Sequence, residues 1–211
     1  MRTLHAGSAM TAQEIAWTGQ HGNEYNRRSP GNDEANYHFF KKALFKTGEI
    51  RSILELGAGQ GANLRALRRL MPTALRTALE LNAQALEMLR RTRAAEQVIE
   101  ASVLEWLPIG RFDLVLSKGL LIHIHPDELH KAYNLIYLAA ARWILIAEYY
   151  NPVPVSVPYR GRDDLLWKRD FVGEMLDCYA DLRLLDYGFV YHRDAAPQDD
   201  LTWFLLSKEP R

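Results

Sequence analysis

Residues 53–61 read ILELGAGQG, and residues 62–71 continue as ANLRALRRLM. A short apolar run leads into three alternating glycines and then into a helical pattern, so the stretch predicts strand, tight turn, helix. Gly57, Gly59 and Gly61 fall where the backbone must bend sharply and let a ligand approach without a Cβ in the way. A dinucleotide fingerprint spaces its glycines G-x-G-x-x-G. Here the spacing is G-x-G-x-G, and Glu55 stands two residues ahead of the first glycine. The next apolar run, ALRTALEL (74–81), contains Glu80, 19 residues after Gly61. A carboxylate there offers two acceptor oxygens to the hydroxyls of a ribose.

Outward from this unit the alternation continues. AQALEMLRRTRAA (83–95) reads as a helix and QVIEA (97–101) as a third strand. FDLVLSKGLLIHI (112–124) reads as a fourth strand. Pro126 opens a helix running to about Ala141, with Asp127 and Glu128 complementing its positive end. RWILIAEYY (142–150) is a fifth strand. Strands alternating with helices predict a mainly parallel sheet covered on both faces. LRLLDYGFVYH (182–192) and DLTWFLLSK (200–208) predict an antiparallel hairpin that completes a seven-stranded sheet. Upstream, TAQEIAW (11–17) predicts a short helix with Thr11 and Glu14 at capping-box spacing. Gly19 to Gly31 reads as loop. NDEANYHFFKKALF (32–45) reads as a helix capped by Asn32 or Asp33, with Phe39, Phe40, Ala43 and Leu44 on one face. Residues 1–10 read as a loose tail.

Composition narrows the class. The 211 residues are 48% hydrophobic and 25% charged, the balance of a globular chain. Lys plus Arg and Asp plus Glu are each 26, so the net charge of zero argues against a non-specific nucleic-acid binder. One cysteine, Cys178, permits no intrachain disulfide and suits a reducing cytoplasm. The longest apolar run, Leu135 to Ala147, is broken by Arg142 and falls short of the ~20 residues of a membrane span. MRTLHAGSAM carries no apolar signal core, and a cytoplasmic location is expected.

The sequence resembles the class I S-adenosylmethionine (SAM)-dependent methyltransferases over roughly residues 51–150. ELGAGQG is similar to that family's first motif, and Glu80-Leu81-Asn82 to its ribose-binding acid. The resemblance implies a Rossmann-like fold, SAM as cofactor with S-adenosylhomocysteine (SAH) as product, and no metal. It implies that the Gly57–Gly61 backbone, Ala58 and Gly59 included, faces the methionine part of the cofactor, and that Glu55, Asn63 and Leu64 also belong to the cofactor site. Ala101, Ser102 and Val103 then flank the adenine, with serine where many members carry an acid. Ser117, Lys118 and Gly119 end the fourth strand beside the methyl-transfer point. Residues 1–50 are expected to hold the tail, a lid segment and a helix, and residues 51–211 the core of a single domain. The flanks WTGQHGNEYNRR, EYYNPVPVSVPYRG, LWKRDFVGE and DYGFVYHRD further resemble the methylases associated with pseudaminic acid biosynthesis.

The flanks supply candidate chemistry. In a lid over the cofactor, Trp17 packs above it, Tyr25 reaches the sulfonium region, and Arg27 or Arg28 pairs with the methionine carboxylate. The alternative is that Trp17 and Tyr25 simply pack a helix onto the sheet. His123 follows the fourth strand, where a neutral imidazole can take a proton from a hydroxyl; His125 nearby is a weaker candidate. Structural capping of the next helix is the alternative for both. The proline-stiffened stretch from Tyr149 to Asp170 is the candidate substrate cap. Tyr149, Tyr150 and Tyr159 can cover apolar faces, and Arg160, Arg162, Lys168 and Arg169 can bind an anion. A solvated ion-pair surface, with Asp163, Asp164 and Asp170 as partners, is the alternative. The leading expectation is methyl transfer to O or N of a small, anionic metabolite, an acidic sugar or sugar conjugate. Two rivals remain. Residues 62–95 hold seven arginines against two glutamates, which suits an RNA or protein methyltransferase. A non-catalytic SAM-binding module has the same cofactor loop. The oligomeric state is left open.

Overall fold

The computed structural model describes residues 9–29 and 31–208, so the expected tail lies outside the described residues except for Ala9 and Met10. Five parallel strands follow the predicted order in the chain: β1 (Ser52–Leu56), β2 (Leu75–Glu80), β3 (Gln97–Glu100), β4 (Phe112–Lys118) and β5 (Ala140–Glu148). A hairpin of β8 (Leu182–Val190) and β9 (Leu201–Lys208) adds antiparallel to β5. The sheet order is β3-β2-β1-β4-β5-β9-β8, so the α/β, Rossmann-like expectation holds. The order reverses between β1 and β4, and ligands of such sheets bind beyond the carboxyl ends of the strands at that switch point.

The alternation of side chains along each strand builds two cores. Leu114 and Leu116 of β4 join Leu145 of β5, Phe40, Leu64 and Leu67 on one face. Val115 joins Leu54, Ile144, Ile146, Ile136 and Met175 on the other. Both faces are covered, which is why the central strands read as continuous apolar runs. The first core packs under α3 (Asp33–Ala43), α4 (Ala62–Leu70) and α5 (Ala83–Thr92). The second packs under α6 (Leu129–Ala139) and α7 (Phe171–Cys178).

The N-terminal segment differs from its sequence reading. Thr11 does cap α1 (Ala12–Thr18) in a capping box with Glu14. The stretch expected as loop, however, is largely helical: α2 spans Gln20–Arg28. Its glycine and asparagines are contacts rather than breakers. A Cβ on Gly22 would lie 1.9 Å from the Trp17 carbonyl oxygen and 3.0 Å from Asn82 Nδ2. Asn23 accepts from Asn82 Nδ2 at 2.9 Å, and Asn26 donates to Asn82 Oδ1 at 2.9 Å. Tertiary contacts override weak helix propensity here.

The fourth strand is also shorter than expected. It ends at Lys118, because Gly119 turns at φ 68° and a 3₁₀ turn, Leu121–His123, follows. The helix expected from Pro126 begins as a second 3₁₀ turn, Pro126–Glu128, and α6 stops at Ala139, where pairing of Ala140 with Phe112 starts β5. The stretch after β5 carries a small two-stranded sheet, β6 (Val155–Ser156) with β7 (Trp167–Lys168).

Gly61 joins the loop to α4 at φ 81°, and a Cβ there would meet Ala94 Cβ at 2.5 Å. Left-handed backbone costs a non-glycine residue about 1–2 kcal/mol, before any overpacking. Gly61→Ala should therefore lower the unfolding free energy in urea by about 2 kcal/mol or more. A loss below about 0.5 kcal/mol, the size of an ordinary surface change, would contradict the assigned turn.

Candidate active site

A cavity opens at the carboxyl ends of β1, β2, β3 and β4, roofed by α1 and α2. The glycine loop forms its floor, with Gly57 at φ 63° and Gly59 at φ 51°. A Cβ on Gly59 would meet nothing within 4 Å, so it would project into the space a ligand needs. Glu80 fixes this loop. Its Oε2 accepts from the Gly59 N–H at 2.7 Å, and its Oε1 accepts from Leu81 and Asn82 N–H at 2.8 and 2.7 Å. Burial raises its pKa, and the three amide donors act against that rise. A carboxylate has about four lone-pair sites, so capacity for a further bond remains.

Glu55 lies beneath the loop, 1% exposed. Its Oε1 accepts from Asn63 Nδ2 at 2.6 Å, while Oε2 has no partner. Burial pushes its pKa up to about 8, against the Asn63 bond and the charge of Lys118. The Oδ1 of Asn63, on the cavity wall, is equally buried and unpartnered. Burial lowers the Lys118 pKa, opposed by Glu55, Asp199 and Glu148. Buried polar atoms are normally paired, so these orphans fit a polar ligand with both donors and acceptors.

The roof is tied to the loops beneath it. Asn82 Nδ2 donates to the Trp17 carbonyl at 2.9 Å as well as to Asn23. Gln60 donates to the Asn26 carbonyl, Ser102 Oγ donates to Glu14, and Gln13 donates to the Asp164 carbonyl at 3.0 Å. Glu14 is thus more than a capping-box residue: it brings an acid to the Ser102 position. The capping spacing in the sequence marked Glu14 but gave no sign of this second contact.

His123 and Trp17 meet at this wall, their rings 4.5 Å apart. His123 Nδ1 lies 2.7 Å from the Leu165 carbonyl oxygen, which requires an Nδ1–H and leaves the lone pair on Nε2. Burial pushes its pKa down to about 4. Tyr25 packs edge-on against Trp17 at 5.3 Å, and burial raises its pKa, keeping the phenol protonated. His125 instead caps the next turn, its Nδ1 accepting from Asp127 N–H at 3.3 Å.

Most of the predicted cofactor residues line the cavity: Trp17, Tyr25, Gly57, Ala58, Gly59, Asn63, Glu80, Leu81, Asn82, Ser102, Val103, Lys118 and Gly119. Others sit elsewhere. Leu64 is wholly buried in the core, and Ser117 spends its hydroxyl on Glu148 at 2.9 Å. Arg27 is exposed, and Arg28 pairs with Glu24. None of the predicted substrate residues lines this cavity, and several are otherwise engaged. Arg162 makes a two-pronged pair with Asp164, and Arg169 pairs with Glu174, which also accepts from Tyr133. Tyr150 is 41% exposed against Phe204, outside the cavity. Lys168 lies 5.1 Å from the Tyr149 ring centroid. Arg160 sits at φ 54° at the tip of a two-residue turn closed by Tyr159 and Arg162, above the Tyr159 ring and, among the described residues, without an ion-pair partner.

Comparison with known proteins agrees with this geometry. Residues 53–140 match the family model described as a methyltransferase domain. No curated protein matches the sequence. Among solved structures, the chain resembles 1,6-didemethyltoxoflavin-N1-methyltransferase of Burkholderia thailandensis, solved with its acceptor and SAH, at 17% identity and TM-score 0.72 over 98% of this chain and 94% of that one. It also resembles the SAH-bound magnesium protoporphyrin IX methyltransferase of Synechocystis, at 12% identity and TM-score 0.68 over 93% and 98%. The N-methyltransferase NodS of Bradyrhizobium japonicum, with SAH, is similar at 14% identity and TM-score 0.66 over 89% and 98%. The match over residues 53–140 and these likenesses agree on the Rossmann-like fold that those SAH-bound methyltransferases share. Among the described residues no helix is long and apolar enough to cross a membrane.

The raised pKa of Glu55 has a stability signature. Between an unfolded value near 4.5 and a folded value of about 8, the folded chain keeps a proton that the unfolded chain has lost. Stability from this site is full below the lower value and is lost as pH rises towards the upper one. Glu55→Gln removes the titration, so wild type should lose melting temperature relative to the variant between about pH 5 and pH 8. A difference that stays constant across that range would contradict the buried, protonated carboxyl.

Proposed function

We propose that this protein transfers the methyl group of SAM to an oxygen or nitrogen of a small anionic metabolite, an acidic sugar or sugar conjugate being the leading acceptor class. The observation that carries the reading is the roofed cavity whose floor is the glycine loop held by Glu80. Glu80 retains a lone pair for a ribose hydroxyl, and Asn63 Oδ1, unpartnered on the cavity wall, offers an acceptor to a cationic ammonium whose charge would favour ionising Glu55 behind it. The apolar run after β3, with Val103 and Leu104, suits an aromatic base. When bound, SAM supplies an electrophilic methyl on a sulfonium.

The chain's own part is to orient, dry and deprotonate. The α1–α2 roof excludes water, and Tyr25 adds a neutral aromatic hydroxyl instead of positive charge beside the sulfur. In this reading His123 accepts the acceptor's proton at Nε2, with Leu165 holding its tautomer. Its low pKa keeps it neutral at physiological pH. The anionic character rests on Arg160, at the tip of a strained turn and without an ion-pair partner among the described residues, and on Lys118 at the cavity wall. The likeness of the flanks to the pseudaminic acid-associated methylases supports the sugar class. The arginine-rich segment gives the RNA reading little support, because Arg65 and Arg69 on α4 pair with Asp33 and Glu34, and Arg76 on β2 pairs with Glu96. A cytoplasmic location belongs to the same proposal.

The test is SAH formation from SAM over a panel of carboxylated and phosphorylated hydroxy and amino compounds, sugar acids included. Turnover with none of them, alongside turnover with RNA or neutral acceptors, would sink the anionic reading. With a productive acceptor, Arg160→Ala should raise KM about tenfold, since a charged hydrogen bond contributes roughly 1.5–3 kcal/mol. Arg162→Ala should change KM much less, its guanidinium being held by Asp164. Equal effects of the two variants would remove Arg160 from the acceptor site.

Glu80→Ala should weaken SAH binding about tenfold or more, losing the ribose bond and the loop brace together. An unchanged dissociation constant in the folded variant would refute the role of Glu80.

A further inference from the structure

Glu148 closes β5 and is 2% exposed. Its Oε1 accepts from Ser117 Oγ at 2.9 Å and from the backbone N–H groups of Leu120 and Leu121 at 3.0 and 3.1 Å. Its Oε2 faces the Ile122 N–H at 3.5 Å. These amides open the 3₁₀ turn Leu121–His123, and the first N–H groups of any helical turn lack partners within it. The residue before the turn is Leu120, which has no side-chain acceptor to offer. A carboxylate from the neighbouring strand takes that part. At the other end of the turn the His123 ring is fixed by the Leu165 carbonyl.

We propose that Glu148 is the positioning residue for His123: its carboxylate gathers the amides of the turn after β4 and thereby holds the imidazole at the cavity wall. The proposal rests on the reading of His123 as the proton acceptor. Glu148 touches neither cavity nor ligand, and it acts only through the turn. Losing it leaves several buried donors unpaired, which a 3₁₀ turn relieves by opening. The same group can make the turn sensitive to pH. Burial pushes the Glu148 pKa up to about 7, against the pull of the N–H and O–H donors. The groups facing it are Ser117 and Lys118 on β4, Tyr133 on α6, and Tyr149 just beyond β5. Protonation turns one acceptor oxygen into a donor, so the grip on the turn weakens as pH falls through about 7. His123, with its value near 4, does not itself titrate there.

The test needs no acceptor. The full chain is labelled for NMR, and the histidine Cε1–H and backbone amide signals are followed across pH in wild type, Glu148→Gln and Glu148→Ala, with His123→Ala for assignment. In wild type the Leu120 and Leu121 amides should shift with a midpoint near 7, and in Glu148→Gln that step should vanish. In Glu148→Ala the His123 midpoint should climb towards its ordinary value by about one pH unit or more, while the exposed histidines keep theirs. A His123 midpoint unchanged in both variants overturns the proposal. Should Glu148→Ala fail to fold, Glu148→Gln decides: its amide turns an NH₂ towards Ile122, so a smaller rise is required and no rise overturns it. Undiminished SAH formation by His123→Ala with a productive acceptor would overturn the proton-acceptor reading itself, and the Glu148 claim would still stand or fall on the shift between variants.

Discussion

Glu80 accepts from the backbone N–H groups of Gly59, Leu81 and Asn82, so one side chain at the end of β2 holds the loop after β1 and its own loop in a single arrangement. The glycines can take left-handed backbone there, but freedom alone would leave the loop undetermined. The carboxylate selects one conformation. Asn82, placed by Glu80, then caps α5 through its Oδ1 and turns its Nδ2 to Trp17 and Asn23 of the roof. A chain of hydrogen bonds thus runs from the floor of the cavity to its roof. This is why the roof helices, weak by propensity, are ordered where they are.

Much of the core was legible because its signals are local. The apolar runs, the G-x-G-x-G spacing and the placement of Glu80 need no tertiary knowledge, and the sheet followed from their alternation. What escaped reading depends on partners far away in sequence. Gly22, Asn23 and Asn26 look like loop residues until Asn82 is known to face them. GLLIHI looks like more strand until Gly119 turns and Glu148 collects the amides that follow. Arg162 and Arg169 look like anion readers until Asp164 and Glu174 are seen to occupy them. Composition shows charges without showing which are already spent. Arg160, above the Tyr159 ring, has no such ion-pair partner among the described residues.

The electrostatics of the cavity are mostly those of burial. Glu55 and Glu148 are pushed up, while His123 and Lys118 are pushed down. Each shift is towards the neutral form, as desolvation of an ionisable group requires. The charges of Glu55, Asp199 and Glu148 oppose the lowering at Lys118.

The claim beneath all of this is that the loop from Gly57 to Gly61, braced by Glu80, is built for SAM and its product. Calorimetric titration of the purified chain with SAH, and separately with NAD, tests it most directly. One SAH should bind per chain, with no measurable heat from NAD, whose pyrophosphate needs the wider G-x-G-x-x-G turn. Tighter binding of NAD than of SAH would contradict it.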